Sequence, residues 1–504
     1  MRVDSYICQT IFFKLQANAM QKLIVAYIFF TSLVLAQNQA WQELEQKMRP
    51  TVVKLYVANS IGLDNDFPYS GTATGFIVDK KRGIIATNRH VTSISPLTQL
   101  RIYFFNNRSV PGKVLYVDPW HDFAFIQFDP KHANITFELE EVVLGQHTSV
   151  KPGEKLMMIG HSSGSDYSIK YGNVNKPFVS FAVTNSSRYS HHLHLSLPRA
   201  GGASGSPLWN KNGEVVGLHS SGKNDESYEL RIDYVQDALA LLQQKKQPQR
   251  GDLLMHLETL RASTAIETWG LPEKYIQAGL KENKDLHYVL QISKLISNSE
   301  TSKKLSVGDI IVGIKGHNQK QYLPIGYSLY EFDKLVNQNV GKKINLRVYR
   351  QNKKPSHFFE VSLNVEDAHK HLPKRFVKYA GAVFHQVTPS ICFYYNCDLS
   401  GVFLNSADVG STFDVLSGRL KEDGERTNER AIFISQINGI AVNNLNQLVK
   451  VLKTLRNGDL LSIVYSNSNY FYSGKNASSL ELSTTTDPLR IFKWNQNSLT
   501  WEKE

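Results

Sequence analysis

The chain has 504 residues, 41% hydrophobic and 20% charged, a length that predicts about three or four domains and an apolar content well above that of disordered chains. A mean hydropathy of −0.30 excludes a polytopic membrane protein, and three cysteines exclude a disulfide-stapled scaffold or a four-cysteine zinc module. With 57 Lys+Arg against 45 Asp+Glu the net charge is +12, yet the densest basic runs are only Lys80-Lys81-Arg82, Lys245-Lys246 and Lys353-Lys354; the expectation is a basic soluble protein with no nucleic-acid partner.

In chain order, the first feature is the apolar run Leu23–Ala36, preceded by Lys22 and closed by Val34-Leu35-Ala36. Its helix would rise about 21 Å against a hydrocarbon core of about 30 Å, so residues 1–36 read as a cleaved signal peptide, with an N-terminal membrane anchor as the alternative. Translation from Met20 would remove Asp4 and Lys14 from in front of the run. The expected localisation is therefore exported, periplasmic or secreted. Residues 37–50 form a short N-terminal segment. In an oxidising compartment Cys392 and Cys397 could bridge, the alternative being two buried thiols.

From Thr51 to about Ser221 short runs rich in Val, Ile, Phe and Tyr (TVVKLYVA, GTATGFIVD, GIIATN, LRIYFF, FAFIQF, EVVGLH) alternate with turn residues, the pattern of an all-β sandwich or barrel. A helical stretch, Tyr234–Gln244, leads to the polar segment QQKKQPQRG, whose Pro248 and Gly251 make it the best linker in the chain. The first domain is thus 51–245. Beyond it VGDIIVGIKG, SLYEFDKLVNQN and VGKKINLRVYR are echoed by AIFISQINGIAV, LNQLVKVLKTL and NGDLLSIVYS. Each set reads strand, glycine turn, amphipathic helix, strand, and in the second helix Leu445, Leu448, Val449, Leu452 and Leu455 share one face. This diverged repeat predicts α+β domains at 251–366 and 371–485, with 486–504 as a C-terminal tail.

Three segments of the β region carry chemistry. TNRHV places His90 just after a strand, DPWHDFAFIQFD places Asp122 at the start of one, and GGASGSPLWN places Ser204 in a glycine-rich turn. Peptide hydrolysis needs a hydroxyl made nucleophilic by an imidazole that takes its proton and returns it to the leaving amine. A buried carboxylate must hold that imidazole in the right tautomer, and backbone N–H groups must face the developing oxyanion. The sequence offers His90 as base, Asp122 as orienter, Ser204 as nucleophile, and the N–H groups of Gly202 and Ser204 as oxyanion donors.

On SGTATGFIVD, GIIATNRHV, DPWHDFAFIQFD, VKPGEKLMMIG and GGASGSPLWNKNGEVVGLHS, the segment from about Val52 to Ser221 resembles the trypsin-fold protease domain of the HtrA/Deg family. The forms DPxHDF and SGSP are those of its yeast nuclear-mediator-of-apoptosis and plant Deg branch. The yeast members are double-length, and this chain corresponds to one half. The resemblance implies an all-β chymotrypsin-like double β-barrel protease domain followed by two α+β PDZ-like domains, ATP-independent endopeptidase activity on unfolded or misfolded proteins, and no metal or other cofactor. It carries the three triad roles onto His90, Asp122 and Ser204, and the lining of the substrate pocket onto Pro198, Arg199, Leu218, His219 and Ser220. It also implies C-terminal peptides as partners of PDZ-like domain 1, with a carboxylate loop near 286–290 (near 400–404 in the second), and a trimeric homo-oligomer.

Two departures bear on the oxyanion loop: Ala203 stands where bacterial members carry Asn, and Ser206 replaces a second glycine. A loop that never forms the oxyanion hole would leave a proteolytically silent chaperone or peptide-binding scaffold. Among competing residues, Asp118 and Asp129 flank Asp122, which alone precedes FAFIQF in the family pattern. His121 should point to the opposite face. His191, His192 and His194 read as part of a half-exposed strand, not a metal site, because alternation splits them between faces and no further ligand lies nearby.

Overall fold

The computed structural model describes residues 20–22 and 39–504, except 67, 147–149, 163–164, 183–188, 199–200, 283–287, 325–328, 352–356, 396, 398, 417–430, 469–472 and 485–486. The apolar run Leu23–Ala36 lies outside the described residues, and no helix among those described is long and apolar enough to cross a membrane.

Alternation builds the first barrel. In strand Val52–Asn59, Val53, Leu55 and Val57 point inward. There they meet Ile77, Ile85, Ile102, Val110 and Ile126 from five other strands. That strand pairs antiparallel with both Tyr69–Asp79 and Leu97–Tyr103. The end strands of the seven-stranded sheet, Ser109–Pro111 and Lys113–Val117, are separated only by Gly112, so the sheet closes on itself. A second ring of six strands runs Lys155–Ser162, Ser165–Phe181, Ser190–Ser196, Glu226–Arg231, Glu214–Lys223 and Pro207–Trp209. Pro207–Trp209 closes it by pairing with both Lys155–Ser162 and Glu214–Lys223. Its core holds Leu156, Met158, Leu193, Leu195, Ala203 and Leu208.

A third cluster, with Phe76, Phe123, Phe125, Met157, Ile159, Trp209 and Leu230, forms the seam between the rings. Helix Ile232–Gln243 covers it, and Trp41 from the helical residues 39–48 plugs one end. Burying each such side chain stabilises by about 1.5–3 kcal/mol, so the seam fixes the two rings as one body.

Beyond the linker, strands Met255–Arg261, Tyr288–Leu295, Ile310–Lys315, Lys343–Arg350 and His357–Asn364 form a five-stranded sheet in that order, with helix Leu329–Asn337 on its core. The last sheet is nine-stranded. Its helix Leu445–Leu452 buries Leu445, Leu448, Val449 and Leu452, the face expected from the sequence, and Asn444 caps it by accepting from the Gln447 N–H. The segment expected as a C-terminal tail carries two strands. Strands Arg490–Asn495 and Thr500–Lys503 extend this sheet beside Arg375–Tyr379, and Phe492 stacks on Phe376 with ring centroids 4.7 Å apart. Low overall hydropathy hid a strand pair in which Ile491, Phe492 and Trp501 pack against the core. Cys392 and Cys397 are unbridged thiols.

Candidate active site

Register brings the base and its carboxylate together. Strand Ile84–Thr87 pairs with Ala124–Gln127 so that Thr87 lies opposite Ala124; His90 leaves one strand at the end where Asp122 enters the other. His90 sits in the short helix Arg89–Thr92. Its Nδ1 lies 3.0 and 2.9 Å from the two carboxylate oxygens of Asp122, and its backbone N–H donates to Oδ1 at 3.0 Å. Asn88 Nδ2 donates to the Asp122 carbonyl at 2.9 Å and to Ser220 Oγ at 3.2 Å. Burial opposes a protonated His90. The Asp122 charge and hydrogen bond, with Asp66 beyond, outweigh it and raise the His90 pKa above the ordinary value. The same contact works on Asp122, where burial pushes upward but His90 prevails and holds the carboxyl below its ordinary value.

The competitors have other work. Asp118 accepts from Tyr116 Oη, the Trp120 and His121 N–H groups, and Arg250 Nε, at 3.0, 3.0, 2.8 and 2.6 Å. Against the cost of burial, Arg250 heads the influences that hold its pKa down at about 2. His121 turns away, its Nδ1 2.7 Å from Ser190 Oγ and its ring against Tyr234. Asp129 accepts from the Lys131 N–H in an exposed turn. The three clustered histidines are more buried than expected. His191 and His192 are 2% and 1% exposed, and burial drives His192 down to about 4. His194 lies 3.5 Å from Glu226.

Ser204 sits on a turn that only glycine permits at two points. Gly202 and Gly205 both have φ of +86°, and a Cβ would lie 2.3 Å from the His161 carbonyl at the first and 2.0 Å from that of Thr74 at the second. Thr74 threads the turn: its N–H donates to Ser204 O at 2.9 Å, and its Oγ1 donates to Gly202 O at 2.9 Å. The Gly205 N–H donates to the His219 carbonyl, and the His219 N–H to Ser206 O. Among the described residues nothing accepts from the N–H of Gly202 or of Ser204. A His90–Ser204 side-chain hydrogen bond is not among those of the described residues, and in ligand-free sites such bonds are commonly long.

The departures at Ala203 and Ser206 are linked. Ala203 is buried in the second-ring core, and its carbonyl accepts from Ser206 Oγ at 2.6 Å and from the Ser206 N–H at 3.0 Å. The extra hydroxyl thus ties down the turn from inside.

The residues expected to line the substrate pocket divide. Pro198 is exposed and Arg199 lies outside the described residues. Leu218 is fully buried in the seam, where its strand position faces the core. His219 is buried with Nδ1 2.8 Å from Glu229 Oε2, and Ser220 Oγ accepts from Asn88; both hold the site from behind. Thr74, Arg89, Glu229 and Arg250 were not found from the sequence. Only Arg89, beside His90, carried a local signal; the others reach the site through contacts distant in sequence.

Residues 73–218 match the trypsin-like peptidase domain family and residues 371–458 the PDZ-like domain family. The pro-apoptotic serine protease NMA111 of Saccharomyces cerevisiae is 27% identical over 440 residues, covering 84% of this chain and 41% of that protein. Its Candida glabrata counterpart is 25% identical over 479 residues, 92% of this chain and 46% of that one. The Chaetomium globosum protein is 28% identical over 410 residues, with 79% and 38% covered. The chain therefore spans less than half the length of these curated relatives. Among solved structures, the HtrA-type protease AlgW with tripeptide aligns with a TM-score of 0.48 at 17% identity, over 65% of this chain and 96% of that one.

These relatives correct one expectation. They are fungal pro-apoptotic serine proteases and not periplasmic enzymes, which overturns the exported, periplasmic or secreted localisation read from Leu23–Ala36.

Proposed function

We propose that this chain, which belongs to the HtrA/Deg family of trypsin-like serine proteases, is an ATP-independent endopeptidase acting through His90, Asp122 and Ser204. Ser204 Oγ attacks the scissile carbonyl carbon while His90 Nε2 takes the hydroxyl proton. The carbonyl π pair moves onto oxygen, where the N–H groups of Gly202 and Ser204 stabilise it. Collapse breaks the C–N bond, and His90 gives its proton to the leaving amine. Water then repeats the sequence on the acyl-enzyme and frees Ser204. Asp122 keeps the Nδ1 proton in place and stabilises the imidazolium.

The observation that carries this reading is the double contact of His90 Nδ1 with both Asp122 oxygens, beside a nucleophile turn whose two N–H donors are unengaged among the described residues. Ser204→Ala is expected to abolish casein cleavage and fluorophosphonate labelling without changing the melting temperature. Unchanged cleavage in that variant overturns the assignment.

Substrates are proposed to be unfolded or misfolded proteins, whose extended segments can add to an open strand edge. For C-terminal peptides the favoured place is the edge strand Met255–Arg261 of the first repeat, which among the described residues pairs on one side only, with Tyr288–Leu295. The loop expected near 286–290 lies partly outside the described residues, and the strand that follows it, Tyr288–Leu295, is flanked on both sides. In the second repeat Arg375–Tyr379 is flanked by Ala382–Gln386 and Arg490–Asn495, and Val402–Ala407 by two strands as well. A fluorescent peptide ending in a free carboxylate should therefore bind the full chain, and amide-exchange protection on binding should fall on 255–261; protection confined to 375–407 reverses the assignment.

A further inference from the structure

The loops that present His90 and Asp122 are each held from behind by the C-terminal half of the chain. Arg250 has its backbone in the first repeat. Its carbonyl accepts from the Ala368 N–H at 2.8 Å, and Gly251–Asp252, next in the chain, pairs with Glu366–Asp367. Its side chain crosses into the protease. Nε donates to Asp118 Oδ2 at 2.6 Å, with 5% and 0% of the two side chains exposed. Asp118 in turn gathers the N–H groups of Trp120 and His121, the two residues before Asp122.

The opposite flank repeats the arrangement. Arg89, 1% exposed, precedes His90 and donates to the Pro119 carbonyl of the Asp122 loop at 3.3 Å and to Asp64 Oδ2 at 3.4 Å. Asp64 is held by the second repeat. Its other carboxylate oxygen accepts from Thr388 Oγ1, its carbonyl from Asn405 Nδ2 at 2.7 Å, and its N–H donates to His385 Nε2 at 3.0 Å. His385 can accept there because burial keeps its ring neutral while Nδ1 donates to the Gln386 carbonyl.

From these contacts we infer that Arg250 and Arg89 are positioning residues. Together with Asp118, Asp64 and Thr388 they form one buried belt, from first repeat to second, that sets the distance between His90 and Asp122. The inference rests on the proteolytic reading and adds that the C-terminal half is part of the catalytic scaffold. A base–orienter pair tolerates little displacement: about 1 Å of misplacement costs on the order of 100-fold in rate. The belt acts on the triad and touches no substrate, so its loss should appear in kcat and leave KM alone.

The test uses the full chain, with kcat expressed per active site titrated by a fluorophosphonate. Arg250→Met is expected to lower kcat about 10- to 100-fold at unchanged KM, and Arg250→Lys to recover most of the loss by restoring the charge to Asp118. Thr388→Val removes one hydroxyl in the other repeat and should lower kcat several-fold in the same way. If Arg250→Met does not fold, Thr388→Val decides alone. Wild-type kcat and KM in the folded variants overturn the inference, as does a loss confined to the number of titratable sites. Neither outcome touches the proteolytic assignment, which falls only if Ser204→Ala still cleaves.

Discussion

His90 carries two opposed influences, and their balance sets a measurable property. Burial alone would favour the neutral ring, whereas Asp122, bonded at 2.9 Å, favours the imidazolium and wins. A general base must be neutral to accept the Ser204 proton, so activity appears as pH rises through the His90 pKa. The acid limb of kcat/KM should therefore have its midpoint above the ordinary histidine value of 6.5. A pH–rate profile on a peptide substrate checks this, and a midpoint at or below that value contradicts the pairing. His192 does not blur the limb, since burial holds its pKa at about 4. Asp118 likewise stays ionised until about pH 2.

At the scale of elements, the nucleophile turn and strand Lys155–Ser162 fit each other through a missing side chain. A Cβ on Gly160 would lie 2.1 Å from Ser206 Oγ, the hydroxyl that donates to the Ala203 carbonyl. Gly160→Ala should thus push Ser206 off Ala203, loosen the turn and depress the rate of fluorophosphonate labelling. Adding Ser206→Gly removes the obstruction, leaving Ala203 O with its bond from the residue 206 N–H, and should restore much of the rate. A double-mutant cycle reads this as a favourable coupling; additive losses refute the fit.

The same turn marks how far the sequence could be read. His90, Asp122 and Ser204 were legible because each sits at a strand end or in a glycine turn with its own local pattern, and the face of Leu445–Leu452 was legible from its spacing. The purpose of Ser206 was not, since it depends on Gly160 across the ring. Arg250 read as linker for the same reason: its partner Asp118 lies 132 residues away. Nor could alternation alone show that Leu218 packs in the seam between two rings.

The whole molecule behaves as more than three beads on a string if its shared cores are considered. Relative motion between domains is the ordinary expectation unless their interface is apolar and substantial. Here Leu254 and Ile296 of the first repeat share one cluster with Val387, Ile391, Phe393 and Phe403 of the second, and His256 stacks on Phe393 with ring centroids 3.7 Å apart. Leu63, from the loop that also carries Asp64, joins Phe376 and Val383. On the protease side the Leu329 N–H donates to His191 Nε2 at 3.3 Å, and Arg250 is buried against Asp118. Exposing these surfaces by unfolding one unit alone would strand apolar area and, at Asp118, a buried charge costing about 3–5 kcal/mol. Partial unfolding is penalised, so calorimetry should give a single endotherm for the three units, although multi-domain chains of this length usually show several. Phe393→Ala, worth about 3–5 kcal/mol for a buried ring, should weaken the junction enough to split that endotherm, the second repeat melting first. Separate transitions already present in the unmodified chain would mean that the shared clusters do not couple the units, and the belt behind His90 and Asp122 would then be anchored to scaffolds free to melt on their own.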